Sequence, residues 1–222
     1  FVIRTYLMSK PTSKALLILG IILISINLRT SIASVGPLIP FIREDLGISN
    51  GLAGFLTTLS LITFAVFSLF APSLGKKLGH GKAIFLGISL LSIGVVIRVL
   101  GGIELLYLGT ALTGIGIVTA NVLMIPFFKA RIPEQIGLMT ALLSTGMSLF
   151  AAIASGVSVP LAEDLGLGWR GSLVSWVVLM LLALLVWIPQ LKPHSTQQTG
   201  SVKQVKNVWK SRLAWQVTLF MG

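Results

Sequence analysis

Cysteine is absent from the 222-residue sequence, and acidic residues are scarce. Without cysteine, the chain has neither a disulfide framework nor a thiolate metal site. Only 6 residues are Asp or Glu, and all charged residues together make up 10% of the chain, against about 25% in an average soluble domain. Because a soluble domain of this length needs many more polar residues to cover its surface, this composition excludes an ordinary soluble globule.

Long apolar runs take the place of the missing charge. Hydrophobic residues make up 55% of the chain, and its mean hydropathy is +0.96. The runs reach about 20 residues or more, the length that crosses roughly 30 Å of hydrocarbon. Gly and Pro residues separate each run from the next. The runs predict six membrane-spanning helices at residues 15–40, 52–74, 83–103, 105–128, 137–161 and 170–189.

The net charge of +11 is the property that a nucleic-acid-binding protein would also show. Here most of the 17 basic residues fall in alternate connections between the apolar runs, as the positive-inside rule expects of cytoplasmic segments. We therefore predict a multi-pass protein of the inner (plasma) membrane with a cytoplasmic N-terminus, in contact with the lipid bilayer and with no nucleic-acid partner.

Four segments follow from this pattern. We predict a cytoplasmic N-terminus at 1–14, a six-helix bundle at 15–189, a polar cytoplasmic linker at 190–212 and the start of a seventh helix at 213–222. Ile39-Pro40-Phe41 matches Ile125-Pro126-Phe127, and a second Pro-to-Gly match follows one helix later. The matches predict an inverted repeat of three plus three helices, although Pro and Gly also recur at helix ends without any repeat.

Arg29 is the clearest ionisable residue deep in a predicted span. It lies near the middle of the first span, where an arginine costs roughly 2.5–3.5 kcal/mol to insert. The other spans carry no Asp or Glu at comparable depth, so the charge needs another partner: an anionic substrate, a carboxylate of a missing C-terminal half, or carbonyls at a broken helix. We predict that Arg29 binds substrate, with a structural charge as the alternative.

Polar residues near Arg29 and in the fourth span complete the predicted substrate-binding set. Asn27 and Arg29 point about 200° apart on a helix, so one polar line faces the pathway and the other packs on a neighbour. The charge favours the line that holds Ser25 and Arg29. In an inverted repeat the fourth span is the counterpart of the first, and it offers Thr113 and Asn121. Either asparagine can instead serve as a bond between helices.

Two other patterns are predicted to serve structure. Arg98 lies close to the turn at 101–102 and is predicted to snorkel outward. Small residues recur at Gly87, Gly94 and Gly101 and again at 151–156, as they do where helices pack closely. No HExxH motif, intramembrane carboxylate pair or P-loop occurs, so the sequence predicts no metal, no cofactor and no enzyme chemistry.

Six short runs carry a family resemblance, and together they cover essentially all of residues 14–190. They are Asn27 to Leu38, Gly54 to Leu59, Gly109 to Gly116, Asn121 to Leu123, Gly137 to Thr140 and Gly168-Trp169-Arg170-Gly171. In these runs the chain resembles the cyanate/nitroimidazole transporter family of the major facilitator superfamily. The resemblance implies an all-α membrane fold in which the six helices form the N-terminal half of a major facilitator protein.

The superfamily's loop signature between the second and third helices is degraded in this chain. Its acidic position is Lys76, an arginine position is Lys77, and Gly79 is retained. The resemblance implies that Lys76, Lys77 and Gly79 belong to a conformational gating loop, while the usual salt bridge of that loop is missing. The common arginine of the fourth helix is likewise replaced, by Thr110.

The resemblance implies secondary active transport of a small polar or anionic solute by alternating access. Two alternatives from other classes are a half-size membrane protein, acting as a structural or regulatory partner or as a dimeric pore, and a membrane enzyme. Further apolar spans encoded after Gly222 would distinguish the transporter from the half-size protein. An enzyme would need a catalytic constellation that these residues do not provide.

Overall fold

A computed structural model describes residues 14–191 and Gln216, and the described part of the chain is helical, with no strand. Nine α-helices are named in chain order. They are α1 Lys14–Ala33, α2 Val35–Leu46, α3 Asn50–Ser68, α4 Ala71–Leu78, α5 His80–Val99, α6 Ile103–Arg131, α7 Ile136–Ala162, α8 Gly168–Ser175 and α9 Val177–Trp187. Single 3-10 turns at Pro133–Gln135 and Ile188–Leu191 precede α7 and follow α9.

Six helical spans are long and apolar enough to cross a membrane, which confirms the predicted number. The first span consists of α1 and its continuation α2, the second of α3, the third of α5, the fourth of α6, the fifth of α7 and the sixth of α8 with α9. One residue interrupts the first span, Ser34, and one the sixth, Trp176, and both keep right-handed helical backbone angles.

The second span is shorter than the predicted 52–74. It ends at Ser68, and a two-residue turn separates it from the amphipathic helix α4. The predicted gating loop is therefore mostly helical, and Gly79 alone separates α4 from the third span. Gly79 has φ +82°, a conformation that a residue with a Cβ rarely adopts.

Helix packing follows the pattern of the predicted repeat. The first span packs on the fifth and sixth, and the fourth packs on the second and third. In a three-plus-three repeat the fourth, fifth and sixth spans are the counterparts of the first, second and third. The contacts of the first span with the fifth and sixth therefore correspond to those of the fourth span with the second and third.

The third and fourth spans approach each other most closely. A Cβ on Gly116 would lie 2.5 Å from the main-chain oxygen of Gly87, and a Cβ on Gly94 would lie 2.6 Å from the main-chain nitrogen of Thr113. At such distances only hydrogen fits between the two backbones. Gly87 and Gly94 therefore pack as predicted, whereas Gly101 faces Leu105, four residues later in α6.

Polar contacts mark the two ends of the bundle. At one end, Asp45 forms an ion pair with Arg170 at 3.0 Å and accepts a hydrogen bond from Nε1 of Trp169 at 3.1 Å. At the other end, Arg131 donates to Gln190, and Nε1 of Trp187 donates to the main-chain oxygen of Gly81 at 3.0 Å. The second end therefore gathers the termini of the third, fourth and sixth spans.

Three of the predicted segments lie largely or wholly outside the described residues. These are the N-terminus at 1–14, the linker at 190–212 and the helix start at 213–222. Where the linker was predicted to begin, Gln190 is buried in the turn that ends at Leu191.

Candidate functional site

Arg29 lies on α1 with its side chain exposed, about four turns from the start of the helix. Within the described residues its guanidinium makes no hydrogen bond and no ion pair. The residues around it in sequence are buried, among them Leu28 and Thr30. The helix therefore presents one unpaired cation on an open face while its other faces pack inside the bundle.

Asn27 faces the opposite way. It is 1% exposed, and its Nδ2 donates to the main-chain oxygen of Leu23 at 2.7 Å and to that of Leu179 at 3.0 Å. The second bond joins the first span to the sixth, whereas Oδ1 has no partner. The amide of Asn27 thus connects two helices in this conformation.

Ser25 and Thr113 are also buried at helix contacts. Ser25 donates to the main-chain oxygen of Ile22 at 2.7 Å, and it packs so closely on the fifth span that a Cβ on Gly146 would collide with its Oγ. Thr113 donates to the main-chain oxygen of Gly109 at 2.7 Å and faces Gly94. Both hydroxyl groups are thus satisfied within their own helices.

Asn121 of the fourth span is half-buried, and no hydrogen bond engages its side-chain amide within the described part of the chain. Leu28, next to Arg29, and Leu123, two residues after Asn121, belong to one apolar cluster, so the first and fourth spans contribute to the same core. Of the five predicted substrate-binding residues, Arg29 and Asn121 are the two whose side chains make no hydrogen bond within the described residues.

The basic residues of the predicted gating loop lie on α4. Lys76 and Lys77 are exposed, and Gly75 packs on Leu123 of the fourth span. Beside α4 opens a largely apolar cleft of about 340 Å³, to which Lys77 and Phe70 contribute. The helix α4 therefore packs on the fourth span through Gly75, and the side chains of Lys76 and Lys77 lie on its exposed face.

Arg98 is the residue that the sequence interpretation misjudged. It does not snorkel outward: its side chain is 1% exposed, and Nη1 donates to the main-chain oxygen of Ser31 at 3.1 Å. The spacing of the sequence could have indicated this burial. Arg98 lies four residues after Gly94, and therefore on the same face of the helix as the glycines that pack inside the bundle. Its backbone packs directly on Gly109 of the fourth span.

Comparison with known proteins gives the family. The model of the Major Facilitator Superfamily matches residues 17–222. The uncharacterized transporter YycB of Bacillus subtilis is 50% identical over 93% of this chain and 51% of its own length. The 2-nitroimidazole transporter of Escherichia coli is 36% identical over 95% of the chain and 54% of its own length, and the cyanate transport protein CynX of the same organism is 28% identical over 93% and 54%.

The chain spans about half the length of the curated relatives that it matches. Its six apolar spans and their pairwise packing agree with one six-helix half of a multi-pass membrane protein, and the predicted resemblance is confirmed. Because the family model covers nearly the whole sequence, the chain belongs to the Major Facilitator Superfamily of transporters, and it corresponds to the N-terminal half of such a protein.

Proposed function

We propose that this chain supplies half of a secondary transporter that moves a small polar or anionic solute by alternating access. The observation that carries the proposal is Arg29, an exposed cation without a partner among the described residues. An arginine this deep costs several kcal/mol if it faces lipid, so its open face borders water, a solute or a second protein half. An anion or polar solute in a central cavity offsets that cost.

Within this proposal Arg29 and Asn121 contact the solute from the first and fourth spans. The guanidinium recognises a negative charge or a polarised oxygen, and the amide supplies both a donor and an acceptor. Ser25, Asn27 and Thr113 complete the site from behind by fixing the helices that carry these two residues. Asn27 bonds the sixth span through Leu179, and this bond supports the role. Ser25 and Thr113 support it by packing closely on Gly146 of the fifth span and Gly94 of the third.

The relatives support the solute class. One matched protein is named for 2-nitroimidazole and another for cyanate, a small polar molecule and a small anion. A site built on one arginine and one amide suits both kinds of solute, because each can accept hydrogen bonds from the guanidinium.

Alternating access requires a second bundle that moves against this one. The second and fifth spans bury only 17% and 11% of their apolar windows, whereas the first and fourth bury 56% and 61%. The small residues at Ser155 and Gly156 lie on an exposed face. We propose these faces as the surfaces on which a C-terminal six-helix half rocks, with Lys76, Lys77 and Gly79 at the moving end.

Uptake into vesicles that contain the complete transporter tests the proposal. Cyanate, thiocyanate and neutral 2-nitroimidazole are offered with and without an imposed pH gradient. We expect at least one solute to enter faster than into vesicles without the protein, and we expect a pH gradient to change its steady-state level if protons are coupled. Uptake equal to that of empty vesicles for every solute and gradient would contradict the proposal.

A further inference from the structure

The cleft beside α4 combines an apolar interior with a charged opening. It encloses about 340 Å³, within the range of small-molecule sites, and it lies between the second, third and fourth spans. Phe67, Leu90 and Ile115 contribute apolar side chains from these three spans. Among the described residues, Lys77 of α4 is the one charged side chain that lines it.

The polar groups of the cleft are concentrated on α4. Ser73 and Lys77 are four residues apart and therefore share one face of that helix. The remaining polar lining residue, Thr119 of the fourth span, is 4% exposed and already donates to the main-chain oxygen of Ile115 at 2.8 Å. The cleft therefore suits an amphiphile that is apolar along the spans and polar or charged at α4.

The lining extends about half way across a bilayer. Leu90 lies ten residues after His80, where the third span begins, which is about 15 Å at 1.5 Å per residue. Lys77 lies just before His80, at the same end of the bundle. One leaflet contributes roughly half of a hydrocarbon layer about 30 Å thick. The depth of the cleft thus matches one acyl chain whose headgroup lies at α4.

The cleft opens on the side of the bundle, away from the proposed path of the solute. Thr119 lines it, whereas Asn121, two residues later, points about 200° away around the fourth span. Phe67 and Phe70 lie at the cleft with their rings 6.1 Å apart, and Phe70 is 61% exposed. An apolar opening on the side of a membrane-spanning bundle borders lipid, so an occupant enters from the bilayer.

Lys77 has no counter-charge within the described part of the chain. The ion pair found there joins Arg170 and Asp45, which lie at the other end of the bundle. Lys76 and Lys82 add exposed positive charge close to Lys77 in sequence. Basic side chains next to a membrane span attract anionic headgroups, so the charge around the opening favours an anionic amphiphile over a zwitterionic one.

We propose that the cleft binds an anionic phospholipid, with one acyl chain between the second and third spans and its phosphate on Lys77. The hydroxyl of Ser73 can donate a second hydrogen bond to the same phosphate. By the predicted orientation this lipid belongs to the cytoplasmic leaflet. The bound lipid joins α4 to the third and fourth spans, and its binding requires neither the solute nor transport.

Lipid titration of the purified complete transporter tests the site. The thermal unfolding midpoint is measured in micelles of a neutral detergent with a rising fraction of phosphatidylglycerol. Phosphatidylcholine with the same acyl chains is the zwitterionic control, and glycerol phosphate supplies the headgroup charge without chains. We expect a saturable rise with phosphatidylglycerol alone, because a ligand that binds only the folded state stabilises it. No saturable rise, an equal rise with phosphatidylcholine, or an equal rise with glycerol phosphate overturns the proposal.

One pair of variants tests the headgroup contact. Lys77→Gln should weaken phosphatidylglycerol binding about fivefold, the contribution expected of one lysine at a membrane surface. Lys82→Gln removes an exposed charge at the same end of the bundle but outside the cleft, and its effect should be clearly smaller. Equal losses in the two variants would mean a diffuse surface charge and would exclude Lys77 as the specific headgroup contact.

A second pair tests the acyl chain. Leu90→Phe narrows the cleft and should reduce the saturable rise while leaving the midpoint without lipid unchanged. Leu100→Phe makes the same exchange at the opposite end of the third span, where the side chain is 69% exposed, and should keep the full lipid effect. Undiminished phosphatidylglycerol affinity in Leu90→Phe overturns the placement of the chain. A lower lipid-free midpoint in Leu90→Phe alone, with no response to phosphatidylglycerol in the wild-type protein, would show that the C-terminal half fills the cleft instead.

Discussion

Asn27 donates its side-chain amide to the main-chain oxygen of Leu179, 3.0 Å away in the sixth span, while Arg29 two residues later lies exposed. The two neighbouring polar residues thus occupy opposite faces of one helix. One face holds the six-helix unit together, and the other presents a charge to whatever lies beyond it. Stability and solute binding should therefore respond separately to substitutions at these two positions.

Asn27→Ala should destabilise the bundle without changing which solutes are recognised. The lost bond to the sixth span is worth about 0.6 kcal/mol on average and at most about 1.7 kcal/mol, as measured for such contacts in a membrane protein. Unfolding in mixed detergent micelles measures the loss. Thr57→Ala is the control, because Thr57 is exposed and bonds only Gly54 of its own helix. Equal stability of the two variants would contradict this role.

Arg29→Gln should have the reverse effect. Because its side chain is exposed and unbonded in the described residues, the unfolding midpoint should stay within error of the wild-type value. Solute uptake by the complete transporter should fall at least tenfold, since a bond to a charged group contributes about 1.5–3 kcal/mol. Arg29→Lys should retain part of the activity.

Lys82→Gln, which removes an exposed charge at the end of the third span, serves as the control for Arg29→Gln and should transport normally. Wild-type uptake rates in the Arg29→Gln protein would show that Arg29 does not bind the solute.

Gly116→Ala should be destabilising because the third and fourth spans leave no room for a methyl group. Its Cβ would lie 2.5 Å from the oxygen of Gly87 and 2.5 Å from the nitrogen of Leu91, both main-chain atoms. Separating the helices is expected to cost about 1–3 kcal/mol, seen as lower yield of folded protein and a lower unfolding midpoint. Gly156→Ala is the matched control, since nothing lies within 4 Å of its added Cβ. A midpoint for Gly116→Ala as high as that of the control would show that the spans can separate at little cost.

The six spans could be predicted from the sequence because the signal is local: an uninterrupted apolar run of sufficient length suffices. The boundary between the second span and α4 could not, because the residues on both sides of the turn at 69–70 are apolar. The helical period separated Asn27 from Arg29 onto different faces. It did not say which face packs, since that depends on neighbours such as Leu179, 152 residues away in sequence.

Arg98 shows where local reasoning failed. Its distance from the turn at 101–102 suggested access to the surface, but the first and sixth spans enclose the end of the third, so the side chain turns inward to Ser31. Closeness to a turn determines how far a side chain must reach, whereas packing determines whether a path exists. Gly87 and Gly94 indicated which face of the third span packs inside the bundle, and Arg98 lies on that face.

Asp45 should contribute a small, salt-dependent stabilisation that joins the first and sixth spans. Its ion pair with Arg170 is 45% exposed on both sides, and such pairs are worth about 0.2–1 kcal/mol and are screened by salt. Asp45→Asn should lower the midpoint slightly at low salt and not at high salt, while its side-chain oxygen still accepts from Trp169. Asp45→Ala loses both contacts and should be less stable at either salt concentration. Identical midpoints for the two variants would show that the Trp169 bond adds nothing.

The last prediction concerns the orientation of the chain in the membrane. Several basic residues lie at one end of the bundle, so a test of which side that end faces also tests the orientation. Arg131 and Gln190 meet at the end of the bundle that also holds Gly81, and Lys76 and Lys77 lie on α4 just before it. By the positive-inside rule we expect this end to face the cytoplasm.

Reporter enzymes that are active only inside the cell should work when fused after residues 79 and 135. Reporters that are active only outside should work after residues 47 and 101. Replacing Lys76, Lys77 and Lys82 by Gln should increase the fraction of inverted molecules, because these charges hold the connection on the inner side, whereas Gln in place of Arg170 alone should not. External activity at residue 79 in the unaltered chain would show that the chain has the opposite orientation.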